Sequence, residues 1–175
     1  MANSKYILDL STIDVTQVVA DLDVIRRHNR QRFEMEQLTA VIYEDLERNI
    51  CIGYKDVTER DFWVRGHMPG MPLMPGVVML EAAAQLSSYF VDRHRLLGDI
   101  DAVVGFGGLE DVRFRDPVFP GTRLYLQCQL QRVRPGRMIV CRFQGIVGEN
   151  VVVEGVLKGV PIPLAAIPAS ALTAS

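Results

Sequence analysis

The sequence predicts an α+β domain in which a curved antiparallel sheet is wrapped around one long central helix. The helix is expected from about Val77 to Val91, which is rich in Ala, Leu and Met and contains no proline or glycine. The segments after this helix have only strand character, and a strand–turn–strand unit precedes it. Because a sheet must cover its apolar face, we expect the helix to pack there.

The composition limits the class of protein. The chain has 175 residues, 49% of them hydrophobic, which fits one globular domain. Its net charge of −2 gives no general electrostatic attraction to nucleic acid. No apolar run is long enough for a membrane span, and the first residues lack the pattern of a signal peptide. The three cysteines are widely spaced, which predicts neither a disulfide framework nor a zinc site. These features predict a cytoplasmic protein without bound metal.

The N-terminal part predicts a helix and a connector ahead of the first strands. Apolar residues at helical spacing predict a helix from Ser11 to about His28, capped by Ser11 or Asp14. Residues 29–36 are polar and form the connector. We therefore divide the chain, as one domain over residues 1–175, into a helical extension (1–36), a core (37–163) and a loose tail (164–175).

The remaining elements are strands. Alternating residues between Leu38 and Val57 predict two strands with a turn near residues 47–49. After the long helix, strands are expected over residues 102–114, 122–133, 138–147 and 151–160. Gly105, Gly107 and Gly108 interrupt the first of these, which indicates a bend or a close approach of two backbones.

The loop from His67 to Gly76 is the most distinctive segment. Pro69, Pro72 and Pro75 stiffen it and exclude a regular helix or a central strand. The loop carries a lone histidine and leads directly into the N-terminus of the long helix. Such an arrangement places unpaired backbone N–H groups beside a titratable base.

Glu81 is the only charged residue between His67 and Asp92, and it lies in the apolar helix. One interpretation needs no function, because Glu81, Gln85, Ser88 and Asp92 share one stripe that solvent could cover. The other interpretation is a buried acid, since burying a carboxyl group is unfavourable without a reason. A base, a buried acid and a positive helix end are the parts of one kind of catalytic site.

Two segments resemble one enzyme family. Residues 66–85 match the pattern G-H-F-P-G-x-P-x-M-P-G-V-x-x-x-E-A-x-A-Q, with Met68 in place of Phe, and residues 113–124 resemble R-F-R-x-P-V-x-P-G-D-x-L. Together they resemble the β-hydroxyacyl-acyl carrier protein dehydratases of type II fatty acid synthesis, over about residues 38–160. Residues 28–33 only loosely match the family's P-H-R-Y-P-F segment, which helps to shape its acyl tunnel.

The resemblance implies a hot-dog fold and the loss of water from a (3R)-3-hydroxyacyl thioester to give the trans-2-enoyl thioester. It implies that His67 is the base, that Glu81 is the acid, and that the Gly76 N–H polarises the thioester carbonyl. The position of Gln85, one turn beyond Glu81, suits a side chain that holds the carboxyl group through a hydrogen bond or a water molecule, and simple helix polarity is the alternative. In the family, the His and the Glu come from different subunits of a dimer.

The same resemblance implies the partners of the protein. The substrate would be an acyl thioester on the phosphopantetheine of acyl carrier protein, with no cofactor bound to the enzyme itself. The assembly would be a homodimer or a trimer of dimers. Glutamate rather than aspartate at position 81 resembles the general dehydratases more than the branch that also isomerises the double bond.

Two other functions fit the same residues. A hot-dog thioesterase would use a carboxylate to direct water onto the thioester, and it would release a free thiol. A catalytically silent acyl-binding subunit is the second alternative. The presence of both His67 and Glu81 argues against a silent subunit, because such a protein needs neither side chain.

Overall fold

The computed structural model describes residues 5–168. Two α-helices are present, α1 (Leu22–His28) and α2 (Gly76–Arg93), with three short 3-10 turns at Leu10–Thr12, Phe33–Met35 and Leu164–Ala166. The strands are β1 (Ala40–Asp45), β2 (Ile50–Asp56), β3 (Ala102–Phe114), β4 (Arg123–Arg134), β5 (Met138–Val147) and β6 (Asn150–Pro163). They form one antiparallel sheet in the spatial order β1-β2-β4-β5-β6-β3.

Helix α2 occupies the inner face of this sheet. Leu86 and Phe90 of α2 are fully buried, and so are Leu126 and Phe143 of the strands beneath it. Burial of each such side chain contributes roughly 1.5–3 kcal/mol. Register shifts in the β1–β2, β3–β6, β4–β5 and β5–β6 pairs bend the sheet around the helix. The predicted α+β class, with its long central helix, is confirmed.

Strand β3 contains the bend that its glycines predict, and side chains of β6 pack closely against those glycines. A Cβ atom on Gly105 would lie 2.3 Å from Cδ1 of Ile162, and one on Gly107 would lie 2.8 Å from Cγ1 of Val160. The β3–β6 register also shifts between Phe106 and Gly108. The glycines therefore let β3 bend while it stays paired with β6.

The prediction of one helix over residues 11–28 is wrong in its first part. Helix α1 begins only at Leu22, and its N-cap is Asp21, whose carboxylate accepts a hydrogen bond of 2.9 Å from the Val24 amide. The chain before it is extended where Ala20 pairs with Val41 of β1. In its described part, the predicted helical extension (1–36) therefore has one short α-helix and two 3-10 turns.

Residues 5–15 form an N-terminal strap that lies across the outer face of the sheet. Its apolar side chains pack on a second cluster formed by Ala40, Ile42, Ile50, Ile52 and Tyr54. Of the apolar residues whose spacing predicted a helix, Val15 lies in this irregular strap and packs on the cluster, whereas Leu22 and Ile25 belong to α1.

Two buried glutamines hold the strap. Gln127 of β4 bonds both backbone groups of Leu8, with distances of 2.9 Å to the amide and 2.7 Å to the carbonyl. Gln144 of β5 accepts a bond of 2.7 Å from the Ile7 amide and donates one of 3.0 Å to the Lys5 carbonyl. Each side-chain amide supplies the donor and acceptor that a neighbouring strand would otherwise provide.

The end of the described chain is attached to the core. The Leu164 amide donates a hydrogen bond of 3.0 Å to the Asp101 carbonyl, so the first residues of the predicted tail form a turn. The rest of that tail, residues 169–175, lies outside the described residues. Within residues 5–168, none of the helices has the length and apolar character needed to cross a membrane.

The three cysteines are buried free thiols beneath α2. The Ser87 hydroxyl lies 3.1 Å from the sulfur of Cys128 and 3.3 Å from that of Cys141. Burial raises the pKa of the Cys51 thiol well above its usual value. Cys51 is therefore held as an unreactive neutral thiol, in agreement with a structural role.

We predict that Gln127→Leu destabilises the protein by about 1–3 kcal/mol, because both backbone groups of Leu8 lose their partner. Urea unfolding followed by fluorescence measures this change. The matched control is Gln129→Leu, on the same face of β4, where the structure describes no side-chain hydrogen bond. Equal effects of the two changes would show that the strap does not depend on Gln127.

Candidate active site

The His67 side chain is held in one orientation by its own loop. Its Nδ1 lies 2.9 Å from the carbonyl oxygen of Leu73, and its backbone amide donates a bond of 2.8 Å to the carbonyl of buried Trp63. A carbonyl oxygen can only accept, so Nδ1 carries the proton of the neutral ring. Nε2 therefore keeps its lone pair and is the atom able to accept a proton.

His67 and the first turn of α2 line the same groove, which has a volume of about 560 Å³. Pro75 is the N-cap of α2 and provides no side-chain acceptor, so no side chain caps the first turn with a hydrogen bond. A Cβ atom on Gly76 would lie 2.6 Å from Cε1 of Phe114, which explains the glycine at this position. The groove thus combines a proton acceptor with the positive end of a helix.

Arg115 is the cation at the rim of this groove. Its Nε donates a bond of 3.0 Å to Oε1 of Glu154, and this bond from the guanidinium lowers the pKa of the Glu154 carboxyl. Because Glu154 stays ionised, the charge of Arg115 is largely compensated. No group of three or more His, Cys, Asp or Glu side chains within residues 5–168 is arranged to hold a metal ion.

Glu81 lies on the flank of α2 and lines a second cavity of about 210 Å³, with Ala84, Ser88 and Gly105 among its other walls. Its Oε1 accepts a hydrogen bond of 2.8 Å from Gln85 and one of 3.4 Å from Gln31. The interpretation of this stripe as solvated is wrong for Gln85, which is only 2% exposed, whereas Glu81 is partly exposed.

Gln85 uses all of its hydrogen-bonding groups. Its Nε2 donates to Glu81 and, over 2.7 Å, to the Met35 carbonyl, while its Oε1 accepts a bond of 2.9 Å from the Gln37 amide. The Gln37 N–H requires an acceptor and the Met35 carbonyl requires a donor, so the amide can face Glu81 only with its NH₂ group. Gln85 therefore presents a fixed donor to the carboxyl group, as the sequence predicts.

One protomer does not bring all the predicted residues together. His67 and Gly76 share the first groove, while Glu81 and its partner Gln85 belong to the other side of α2. The separation follows from helix geometry. Positions 76 and 81 are displaced by ~7.5 Å along the axis and by ~140° around it.

The sequence analysis missed the residues that connect Glu81 to the N-terminal part. Asn29 donates a bond of 2.9 Å to the Gln85 carbonyl, Gln31 contacts Glu81, and the Gln37 amide contacts Gln85. All three lie in or beside a segment interpreted only as a polar connector. The signal that could have found them is its faint likeness to the family segment that shapes the acyl tunnel.

Comparison with known proteins identifies relatives over most of the chain. Residues 29–156 match the model of the FabA-like domain. A 3-hydroxyacyl-[acyl-carrier-protein] dehydratase FabZ from Jannaschia sp. (strain CCS1) is 35% identical over 131 residues, which cover 74% of this chain and 80% of the relative. FabZ from Nitratidesulfovibrio vulgaris (strain DSM 19637 / Miyazaki F) is 45% identical over 80 residues, 46% of this chain and 52% of that protein.

Solved structures share the fold at lower identity. The dehydratase heterocomplex ApeI:P from Xenorhabdus doucetiae matches with a TM-score of 0.68 and 19% identity, covering 81% of this chain and 93% of that chain. Cj0977, a virulence protein from Campylobacter jejuni, matches with a TM-score of 0.59 and 17% identity, covering 82% and 94%. These likenesses confirm the hot-dog fold, and from the extent of the domain match and the identity to its relatives, the chain belongs to the FabA-like family.

Proposed function

We propose that this protein is a 3-hydroxyacyl-[acyl-carrier-protein] dehydratase, a hydro-lyase of fatty acid biosynthesis. The observation that carries the proposal is the orientation of His67. Its Nδ1 is bound to the Leu73 carbonyl, so Nε2 is free to accept a proton in the groove that also contains the start of α2. Removal of a proton next to a polarised carbonyl needs this pair of groups.

The proposed reaction assigns one step to each group. Nε2 of His67 takes the α-proton of the (3R)-3-hydroxyacyl thioester, and the released electron pair forms the C2–C3 double bond as the C3–O bond breaks. Glu81 gives its proton to the departing hydroxyl, which leaves as water. The Gly76 amide donates to the thioester oxygen, where negative charge develops and the helix end favours it.

A complete site requires a second subunit in this proposal. His67 and Glu81 line different cavities of one protomer, so we place Glu81 of a second copy against the groove of His67. The rim of that groove is apolar and exposed, with Val77 at 72% and Phe114 at 53%. An exposed apolar rim of this kind is typical of a protein interface. A homodimer then contains two such sites, and a trimer of dimers contains six.

The proposal includes acyl carrier protein as the partner that brings the substrate on its phosphopantetheine in the cytoplasm. No cofactor is needed, because a proton acceptor, a proton donor and a carbonyl-polarising amide complete the reaction. The direct test supplies an enoyl thioester and water and follows loss of the enoyl ultraviolet absorbance. Release of free thiol instead would identify a thioesterase.

We predict that His67→Ala lowers turnover by ~10²–10⁴-fold, because the α-proton loses its acceptor. The enoyl absorbance assay measures this loss, and circular dichroism checks that the fold is intact. His94→Ala serves as a histidine control outside the proposed site, and it should keep turnover near that of the wild type. More than a tenth of wild-type turnover in His67→Ala would contradict the assignment of the base.

We predict that Glu81→Gln also abolishes most turnover, whereas its melting temperature stays equal or rises. Glutamine keeps the oxygen that accepts from Gln85, but it has no acidic proton to donate. Burial of an ionisable group is unfavourable, and catalytic sites commonly retain such groups at the expense of stability. Thermal unfolding and the same assay test both parts, with exposed Glu47→Gln as the control.

We predict that mixing the two inactive variants restores part of the activity. A mixed dimer of His67→Ala and Glu81→Gln subunits contains one site with both groups intact. Mass spectrometry verifies subunit exchange, and the absorbance assay measures recovery. Complete exchange without any recovered turnover would favour a site built within one subunit.

A further inference from the structure

We infer that Gln31 is a positioning residue for Glu81, which it holds together with Gln85 so that the acidic proton resides on Oε2. This inference rests on the proposed function of Glu81 as the acid. The Nε2 of Gln31 lies 3.4 Å from Oε1 of Glu81, and that of Gln85 lies 2.8 Å from the same oxygen. Gln31 also forms part of the wall of the Glu81 cavity.

The two amides determine which carboxyl oxygen can carry the proton. A carboxyl oxygen has two lone pairs, and the two N–H donors use both of those on Oε1. A proton on Oε1 would therefore displace one of the amides. The structure describes no hydrogen bond to Oε2 from residues 5–168, so Oε2 is the oxygen available to protonate the leaving hydroxyl.

The same amides act after the proton has left. Transfer of the Oε2 proton to the hydroxyl breaks the O–H bond of the carboxyl, leaves Glu81 as a carboxylate and releases water. Hydrogen bonds to an ionised acceptor are stronger than bonds to a neutral one. Gln31 therefore strengthens its contact as the reaction proceeds, and its effect should appear in kcat rather than in KM.

The connector that carries Gln31 is rigid. The guanidinium of Arg32 donates to the carbonyls of Arg26, Asn29 and Gln31, at 3.0, 2.8 and 2.7 Å. Arg26 in turn forms a two-point ion pair with Glu36, at 2.6 and 2.9 Å, and the bond from Arg26 lowers the pKa of that carboxyl. A connector tied at both ends can hold an amide against a catalytic group.

The connector is also fastened to the helix that bears the acid. Gln85 bonds the Met35 carbonyl and the Gln37 amide on one side of Gln31, and Asn29 bonds the Gln85 carbonyl on the other side. Gln31 therefore lies between two attachments to the same turn of α2. These contacts within one chain set its distance from Glu81.

The test compares Gln31→Leu with Arg30→Leu, the same new side chain at the adjacent exposed position. Steady-state kinetics of dehydration, with a 3-hydroxyacyl thioester as substrate and the rise of the enoyl absorbance as the signal, give kcat and KM for each. We expect Gln31→Leu to lower kcat about ten-fold, the rate equivalent of one hydrogen bond to an ionised group, with KM unchanged. Arg30→Leu should match the wild type. A wild-type kcat in Gln31→Leu would overturn the inference.

A double-mutant cycle separates positioning from a general structural effect. In the Glu81→Gln background, Gln31→Leu should not lower the residual turnover further, because the group through which it acts is already absent. A second ten-fold loss in that background would show that Gln31 acts by another route and would overturn the inference.

Gln31→Glu tests the same contact without a change of shape. Its carboxylate repels that of Glu81, whereas its protonated form can again donate to Oε1. We therefore expect the ratio of its kcat to that of the wild type to rise as the pH is lowered. This variant decides the question if Gln31→Leu does not fold, and a ratio independent of pH would contradict the inference.

Inactive wild-type protein would instead refute the proposed dehydratase function.

Discussion

Burial of α2 against the inner face of the sheet is the constraint on which the rest of the structure depends. Leu86 and Phe90 fix both the position and the rotation of the helix, because their side chains are completely enclosed. With the rotation fixed, the first turn must open into the His67 groove and Glu81 must face the opposite cavity. The packing of α2 thus determines that one subunit offers His67 and the first turn of α2 to the groove, and that in the proposed site the acid comes from a second subunit.

The core of the fold could be predicted because its signals are local. The helix has no proline or glycine between positions 77 and 93, and β5 has the predicted bounds because its alternation ends at turn residues on both sides. The residues of the proposed site were also identifiable from sequence. His67, Gly76, Glu81 and Gln85 belong to one continuous segment whose residue types suit acid–base chemistry.

The N-terminal part could not be predicted because its structure is determined by distant residues. Val18 and Val19 fit the spacing of a buried helical face, but they are 51% and 36% exposed. The strap before them is held by side chains from β4 and β5, which no local pattern can anticipate. Gln31 was missed for the same reason, since a polar residue in a connector has no distinguishing pattern until its partner is known.

The strap also constrains the order in which the protein can fold during its synthesis. Leu8 and Ile7 lie 119 and 137 residues before the glutamines that bind them. At a translation rate of ~5–20 residues per second, the strap waits on the order of ten seconds for the strands that bind it to be made. The strap therefore cannot be fastened over the outer surface of β1 and β2 before both glutamines have been synthesised.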